Sequence, residues 1–231
     1  MGALGTGFAG LLGLFGLLVC GGLVALVVVL AVRSSRRERA RLERVRQWAV
    51  GQEWMYTPNP ATEWPARLPG HNRRGVRFAV AGRARGHHVH VGAYFYGESS
   101  TTTGADGTSF RSSTTHTFVV VAVRFPQPPY QPIGVQPRGG LSKMGRALFG
   151  DERSVGLEQF DRQFRVTASD AAYARRMVGP ALVQAHLSGA VPAWELYGNE
   201  LLAYFPGRID EPERIPRFTA PVLRVAELLG R

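Results

Sequence analysis

The hydrophobic and polar positions divide the chain into one unbroken apolar segment and a longer region of alternating patterns. The apolar segment covers residues 8–32, where 25 consecutive residues carry no charged or strongly polar side chain. A bilayer core of about 30 Å needs roughly 20 such residues in a helix. A secretory signal peptide would have a basic start and a shorter apolar stretch, but residues 1–7 hold no Lys or Arg. The pattern therefore predicts a transmembrane helix over 8–32 behind a short N-terminus, 1–7.

A basic segment over residues 33–52 follows the apolar one and predicts the orientation. Because no basic residue precedes the span, the positive-inside rule places the C-terminal side in the cytoplasm and residues 1–7 outside. Leu42, Val45 and Trp48 recur every three residues, as in an amphipathic juxtamembrane helix. Anionic headgroups would attract each arginine near the surface by about 1 kcal/mol. The arginines expected to contact headgroups are Arg33, Arg36, Arg37, Arg39, Arg41, Arg44 and Arg46.

Small residues in the predicted span raise the question of self-association. Glycines at 7, 10, 13 and 16 could form a face for close helix packing. Glycine is also common in membrane helices that do not associate, so this alternative stays open. The sequence has one cysteine, Cys20, and it lies in the same span. A single cysteine excludes an internal disulfide framework and a Cys-rich zinc site.

Residues 53–231 have a different pattern. A Pro-rich segment over 56–75 comes first, and apolar and polar positions alternate after it. The alternation predicts a β-hairpin whose two-residue turn is Arg85-Gly86. This turn pairs Val80 with Val91, Phe78 with Ala93 and Val76 with Phe95. It places Arg77, Arg83, His88, His90 and Tyr94 together on the opposite, polar face.

The next segments predict further strands. Residues 99–115 hold eleven Ser or Thr and predict a polar loop, for which a solvated hairpin tip is favoured over a phosphorylated segment. Residues 117–125 are almost entirely apolar and predict a central strand buried on both faces. Residues 133–135 predict a short strand, and residues 160–166 alternate like another one.

Two amphipathic helices and a second hairpin complete the predicted domain. A helix follows the capping residue Asp170, and Pro180 should kink it or start its second half. Gly198-Asn199 predicts a hairpin turn, and residues 215–229 form a final helix around Pro221. Because the order lacks βαβ alternation, we predict a cytosolic α+β domain whose antiparallel sheet is built from hairpins.

The formal net charge of +11 changes this picture little once it is divided along the chain. Almost half of it belongs to the 33–52 segment, and the remainder is mildly basic. An acid-free run of arginines between residues 65 and 97 suits an anionic lipid surface at least as well as nucleic acid. No nucleic-acid-binding motif is present, and we do not expect DNA or RNA as a partner.

Candidate chemistry is sparse. His88 and His90 share a predicted strand face, but His116 falls ~13 Å from His90, too far for the three to share a metal ion. No Gly-x-Ser-x-Gly elbow is present, and residues 139–145 have phosphate-loop ingredients without the Walker spacing. The neighbouring acids of residues 151–152 and 210–213 lie in predicted turns. We therefore predict no catalytic, cofactor-binding or metal-binding residue.

One stretch points to a family. Its residues are Phe160, Phe164, Val166, Ser169, Asp170, Ala174, Arg175 and Pro180. The stretch resembles a family of uncharacterised bacterial membrane proteins of unknown function, several of them actinobacterial and single-pass. Val178-Gly179 stands where that family has Leu-Thr, and the match is looser elsewhere from about residue 72 onward. The resemblance implies the anchored topology and the fold, and it supplies no site residues.

The sequence thus predicts a single-pass protein of the cell membrane that acts at its cytoplasmic face. We expect a non-catalytic interaction, scaffold or regulatory module, with the lipid bilayer and an unidentified protein as partners. The alternative is an enzyme acting on a lipid-derived or phosphorylated substrate, for which the Arg-rich surface is the support.

Overall fold

The computed structural model describes residues 5–103, 107–126, 130–139 and 151–229, and their side chains from residue 25 onward. Its helices are α1 (Gly5–Gly51), α2 (Glu158–Gln163), α3 (Ala171–Met177), α4 (Pro180–Leu187) and α5 (Ile215–Leu228). Its strands are β1 (Met55–Pro58), β2 (Val76–Ala84), β3 (His87–Thr103), β4 (Ser109–Arg124), β5 (Tyr130–Pro137), β6 (Glu152–Arg153), β7 (Phe164–Ala168), β8 (Trp194–Gly198) and β9 (Glu200–Pro206).

The chain forms two compact units, residues 1–45 and 46–231. The first contains α1 up to Val45, and α1 continues without a break from the predicted span into the predicted juxtamembrane segment. Much of the predicted span, residues 8–24, lies outside the residues whose side chains are described. Over the described residues, no helix combines the length and the apolar character needed to cross a bilayer.

The second unit is built on a nine-stranded sheet in the order β1-β2-β3-β4-β9-β8-β5-β7-β6, with every described pairing antiparallel. The predicted α+β class is confirmed. The first hairpin pairs Val80 with Val91, as predicted. A bulge before Phe78 shifts the last predicted pair, so that Val76 lies opposite Tyr94 instead.

Residues 99–115 are not the loop that their composition predicts. Strands β3 and β4 continue through this segment in one register, from the pair His88–Arg124 out to the pair Thr103–Ser109. β9 pairs with β4 only up to Phe118, so the outer part of the hairpin is a two-stranded ribbon. Six of the eleven hydroxyl residues are Thr, which is β-branched and favours strands.

One face of the sheet is covered by helices. The buried residues of α5 include Val222 and Val225, and Phe218 of this helix packs against Phe205 of β9 at 5.4 Å between ring centroids. The predicted buried strand, β4, contributes Val119, Val121 and Val123 to this core. Pro221 lies inside α5, as the pattern predicts.

The strand predicted over residues 160–166 is correct from Phe164 onward and wrong before it. Residues 158–163 form α2, and the strand β7 begins only at Phe164. The Asp161 carboxylate accepts hydrogen bonds from the backbone N–H groups of Val155 and Gly156, which fixes the chain entering the helix. Phe160 and Phe164 stack at 5.0 Å. Their spacing of four residues fits a helical face as well as a strand.

Pro180 divides the next predicted helix in two. Asp170 caps α3 by accepting a hydrogen bond from the Tyr173 N–H at 2.8 Å, and Pro180 begins α4. Within α4, His186 is buried and its Nε2 accepts a hydrogen bond from the Trp194 indole N–H at 2.9 Å. Burial lowers the pKa of His186 to about 4, so this histidine is a neutral structural group.

The other face of the sheet carries no described helix longer than a 3-10 turn. Two such turns, Trp64–Arg67 and Pro69–His71, cover the part of this face formed by β2, β3 and β4. Leu68, which joins the two turns, packs in one buried cluster with Tyr94 and Phe118 of the sheet. Trp64 approaches the sheet at Gly92, where a Cβ would lie 2.7 Å from the indole. This close approach fixes the position of Arg67, the last residue of the turn.

Candidate functional site

The remaining half of the uncovered sheet face is polar, and we call it the polar face. In β8 and β9, Glu195 lies opposite Leu202, and Tyr197 lies opposite Glu200. In β5 and β7, Gly134 lies between Glu195 and Thr167. Side chains alternate along each strand, so these registers direct one set to the same side. That set is Gln136, Arg165, Thr167, Glu195, Tyr197, Glu200 and Tyr204.

Arg67 reaches this surface from the 3-10 turn and forms an ion pair with Glu200. Both side chains are mostly buried, with exposed fractions of 13% and 17%. Arg124 also approaches Glu200, at 3.7 Å, but is 58% exposed. The Arg67 guanidinium lies 5.9 Å from the centroid of the Tyr197 ring. The pair therefore joins the turn to β9 at the border of the polar face.

Glu195 is the most buried carboxyl of the polar face, with 4% exposure. Its Oε1 accepts a hydrogen bond from the Gln136 amide at 3.1 Å. Burial raises the pKa of Glu195 to about 7, although the Arg67 charge and the Gln136 hydrogen bond oppose the rise. The carboxyl is thus protonated below neutral pH, when it both donates and accepts hydrogen bonds.

Two buried polar atoms at this border have no hydrogen-bond partner among the described residues. They are Oε2 of Glu195 and Nη1 of Arg67. Unpartnered buried polar groups are rare in folded proteins, because each costs the hydration that it loses. Their occurrence on one surface indicates a site where a bound molecule can accept a hydrogen bond from Arg67 and exchange one with Glu195.

The neighbouring groups define the chemistry of that site. Each of two carboxylates is shared by two arginines: Glu200 pairs with Arg67 and Arg124, and Glu152 pairs with Arg138 and Arg165. The uncharged groups are the hydroxyls of Thr167 and Tyr204, and the pKa of Tyr204 is raised to about 12 by burial and by Glu195. The surface therefore offers neutral donors and acceptors beside the exposed ring of Tyr197, and its arginines outnumber the two carboxylates that pair with them.

The arginines predicted to contact headgroups lie in α1 or at its end. Six of them are exposed, whereas Arg41 is buried and pairs with Glu38 at 3.1 Å. The histidines are separated, since His90 lies opposite Ala122 and His116 opposite Tyr96, on which it stacks at 4.9 Å. The described residues contain no group of three or more potential metal ligands. Residues 140–150 of the Gly-rich segment lie outside the described residues.

The polar face itself was missed by the sequence analysis. Its signal is the second hairpin, where Glu195 and Tyr197 alternate with apolar Trp194 and Leu196. The alternation indicates a polar strand face, but it does not show that the face is buried. Burial depends on Arg67, which is 128 positions away in the chain.

The fold and this surface define an α+β protein with one helix-covered and one partly polar sheet face. No family model matches the chain, and no curated protein matches it. Among solved structures, it is similar to the crystal structure of the mycobacterial trehalose monomycolate transport factor A, TtfA, with 15% identity and a TM-score of 0.51. The match covers 82% of this chain and 92% of that chain. At this identity the likeness concerns the fold alone.

Proposed function

We propose that this protein is a membrane-anchored, non-catalytic module that binds lipid headgroups on its polar face. Residues 8–32 form the anchor, and residues 46–231 lie at the cytoplasmic surface. The exposed arginines of α1 contact anionic headgroups and hold the domain near the bilayer. The observation that carries the proposal is the buried border of the polar face, where Glu195 and Arg67 keep unpartnered polar atoms.

The chemistry of the polar face favours an uncharged, hydroxyl-rich headgroup. A phosphate that bound Arg67 would have to displace Glu200, breaking a mostly buried ion pair. A sugar can accept from Arg67, exchange hydrogen bonds with protonated Glu195 and pack against Tyr197. The proposed ligand is therefore the headgroup of a glycolipid.

The fold comparison supports a lipid-associated role of this kind. The similar structure is that of a trehalose monomycolate transport factor, so this fold occurs in a protein named for the transport of trehalose monomycolate.

One observation favours an enzyme as the second candidate. The pKa of Glu195 is raised to about 7 by burial, a value suited to a general acid or base. The 4% exposure of Glu195 does not separate the two candidates, because a sugar hydroxyl and a reacting bond must both reach the same carboxyl. Turnover of a lipid substrate that is lost in Glu195→Gln would support this candidate over a binding role.

The anchored topology makes a direct prediction. Protease added to intact spheroplasts should leave residues 46–231 undigested, because the membrane separates them from the medium. Detergent should abolish the protection and serves as the control. Digestion in intact spheroplasts would reverse the proposed orientation.

Headgroup binding is tested with the full chain in phosphatidylcholine nanodiscs, measured by amide hydrogen exchange. One sample contains only phosphatidylcholine, one adds a diglycosyl diacylglycerol and one adds phosphatidylglycerol. We expect the glycolipid to slow exchange in β5, β8 and β9, because bound sugar restrains the strands of the polar face. Amide exchange in the ribbon of β3 and β4, away from the polar face, serves as the control for any general effect of lipid composition. Equal exchange in all three samples would contradict the proposal.

A further inference from the structure

The ribbon formed by the outer parts of β3 and β4 extends beyond the rest of the sheet. Its seven residue pairs run from Gly97–Thr115 to Thr103–Ser109, which corresponds to about 20 Å of strand. All side chains of these pairs are exposed. A two-stranded hairpin without a further strand or a core is marginally stable in water. An added strand would therefore stabilise the ribbon.

The outer edge of β4 is open between Ser109 and His116. In the described part of the chain, β9 pairs with β4 only from Phe118 to Arg124. The open segment contains no proline, no lysine and no described bulge, which are the features that ordinarily block pairing at an edge. Its backbone groups are consequently available to another strand.

The sequence of this edge is complementary to itself. A strand that pairs antiparallel with its own copy must align residues whose backbone groups point outward, and these alternate along the strand. The symmetric register is therefore centred on a residue. When the register is centred on Ser113, Arg111 of one copy lies opposite Thr115 of the other. Arg111 is the only formally charged residue of the edge, and Thr115 is uncharged. No like charges meet.

The same register covers the one large exposed apolar side chain of the ribbon. Phe110 is 68% exposed, and it would lie opposite His116 of the second copy. His116 already stacks on Tyr96, which in turn stacks on Phe118 at 6.0 Å. Pairing would thus extend an aromatic row that begins in the core, and aromatic cross-strand pairs stabilise sheets.

We propose that the outer edge of β4 is the interface for a second copy of this chain, paired antiparallel about Ser113. The two ribbons then form one four-stranded sheet. The proposal does not depend on headgroup binding, since it uses none of the residues of the polar face.

Cysteine cross-linking of the full chain in membranes tests it, with Cys20→Ala as the background. Ser113→Cys should give a disulfide-linked dimer under mild oxidation, because opposed Cα atoms lie about 4.5–5.5 Å apart, within the span of a disulfide. Ser99→Cys is the matched control, since Ser99 faces Ser113 from β3 and lies on the opposite edge of the ribbon. Equal cross-linking of the two variants, or none at Ser113, would overturn the proposal.

A second pair of variants tests the register. Chains carrying Arg111→Cys should cross-link with chains carrying Thr115→Cys, while either variant alone stays monomeric on a non-reducing gel. All the substituted side chains are exposed, so folding is not at risk. Failure of the mixed pair would contradict the pairing about Ser113.

Discussion

Replacing Arg67 by methionine should lower the free energy of unfolding by about 3–5 kcal/mol, the usual cost of removing one partner from a buried ion pair. Glu200, which is 17% exposed in the wild type, would keep only the exposed Arg124 at 3.7 Å to balance its charge. The substitution should also raise the pKa of Glu195 further, because the Arg67 charge is the main influence that lowers it. Urea denaturation followed by circular dichroism measures the first effect.

Arg124→Met is the matched control for this prediction. Arg124 approaches the same carboxylate but is exposed, so its loss should cost less than about 1 kcal/mol. The double variant Arg67→Met/Glu200→Gln should recover much of the lost stability, because it leaves no buried unpaired charge. Equal losses for Arg67→Met and Arg124→Met would show that the buried pair does not hold the turn to β9.

Glu195→Gln should stabilise the protein at neutral and alkaline pH. The folded pKa of Glu195, about 7, lies above its usual value of 4.5, so the native state holds the proton more tightly than the unfolded chain. Its contribution to stability is complete below pH 4.5 and is lost as the pH rises towards 7. The loss amounts to about 3 kcal/mol. Relative to the wild type, the variant should gain that amount between pH 4.5 and 7 and nothing further above pH 7.

His186 has the opposite dependence and supplies the control. Its folded pKa, about 4, lies below the usual 6.5, so its contribution is complete above pH 6.5 and is lost as the pH falls towards 4. In the wild type the two slopes oppose each other between pH 4.5 and 6.5. His186→Gln should therefore become relatively more stable as the pH falls. A pH-independent difference between Glu195→Gln and the wild type would contradict the burial of the Glu195 charge.

Local patterns predicted most of the elements of the second unit. The turn at Arg85-Gly86 and the alternation around it fixed the first hairpin, because turn length and side-chain period constrain the same register. Asp170 and Pro180 likewise mark helix starts that depend only on nearby backbone. The errors lie where two periods fit the same residues, as for Phe160 and Phe164.

The candidate site could not be predicted in the same way. The alternation of Glu195 with its neighbours shows a polar strand face, which ordinarily faces solvent. Its burial follows from contacts across the sheet and from Arg67 on the 3-10 turn. Such contacts between distant segments leave no periodic signal in either one. The raised pKa of Glu195 is accordingly a property of the fold.

The most direct test of headgroup binding compares two variants in the nanodisc exchange experiment. Thr167→Val removes one buried hydroxyl of the polar face with little change in shape, whereas Arg124→Met removes an exposed charge beside it. The glycolipid-dependent protection of β8 and β9 should be present in the wild type and in Arg124→Met, and it should weaken in Thr167→Val. Protection by phosphatidylglycerol alone, abolished by Arg124→Met, would contradict a neutral sugar headgroup as the ligand.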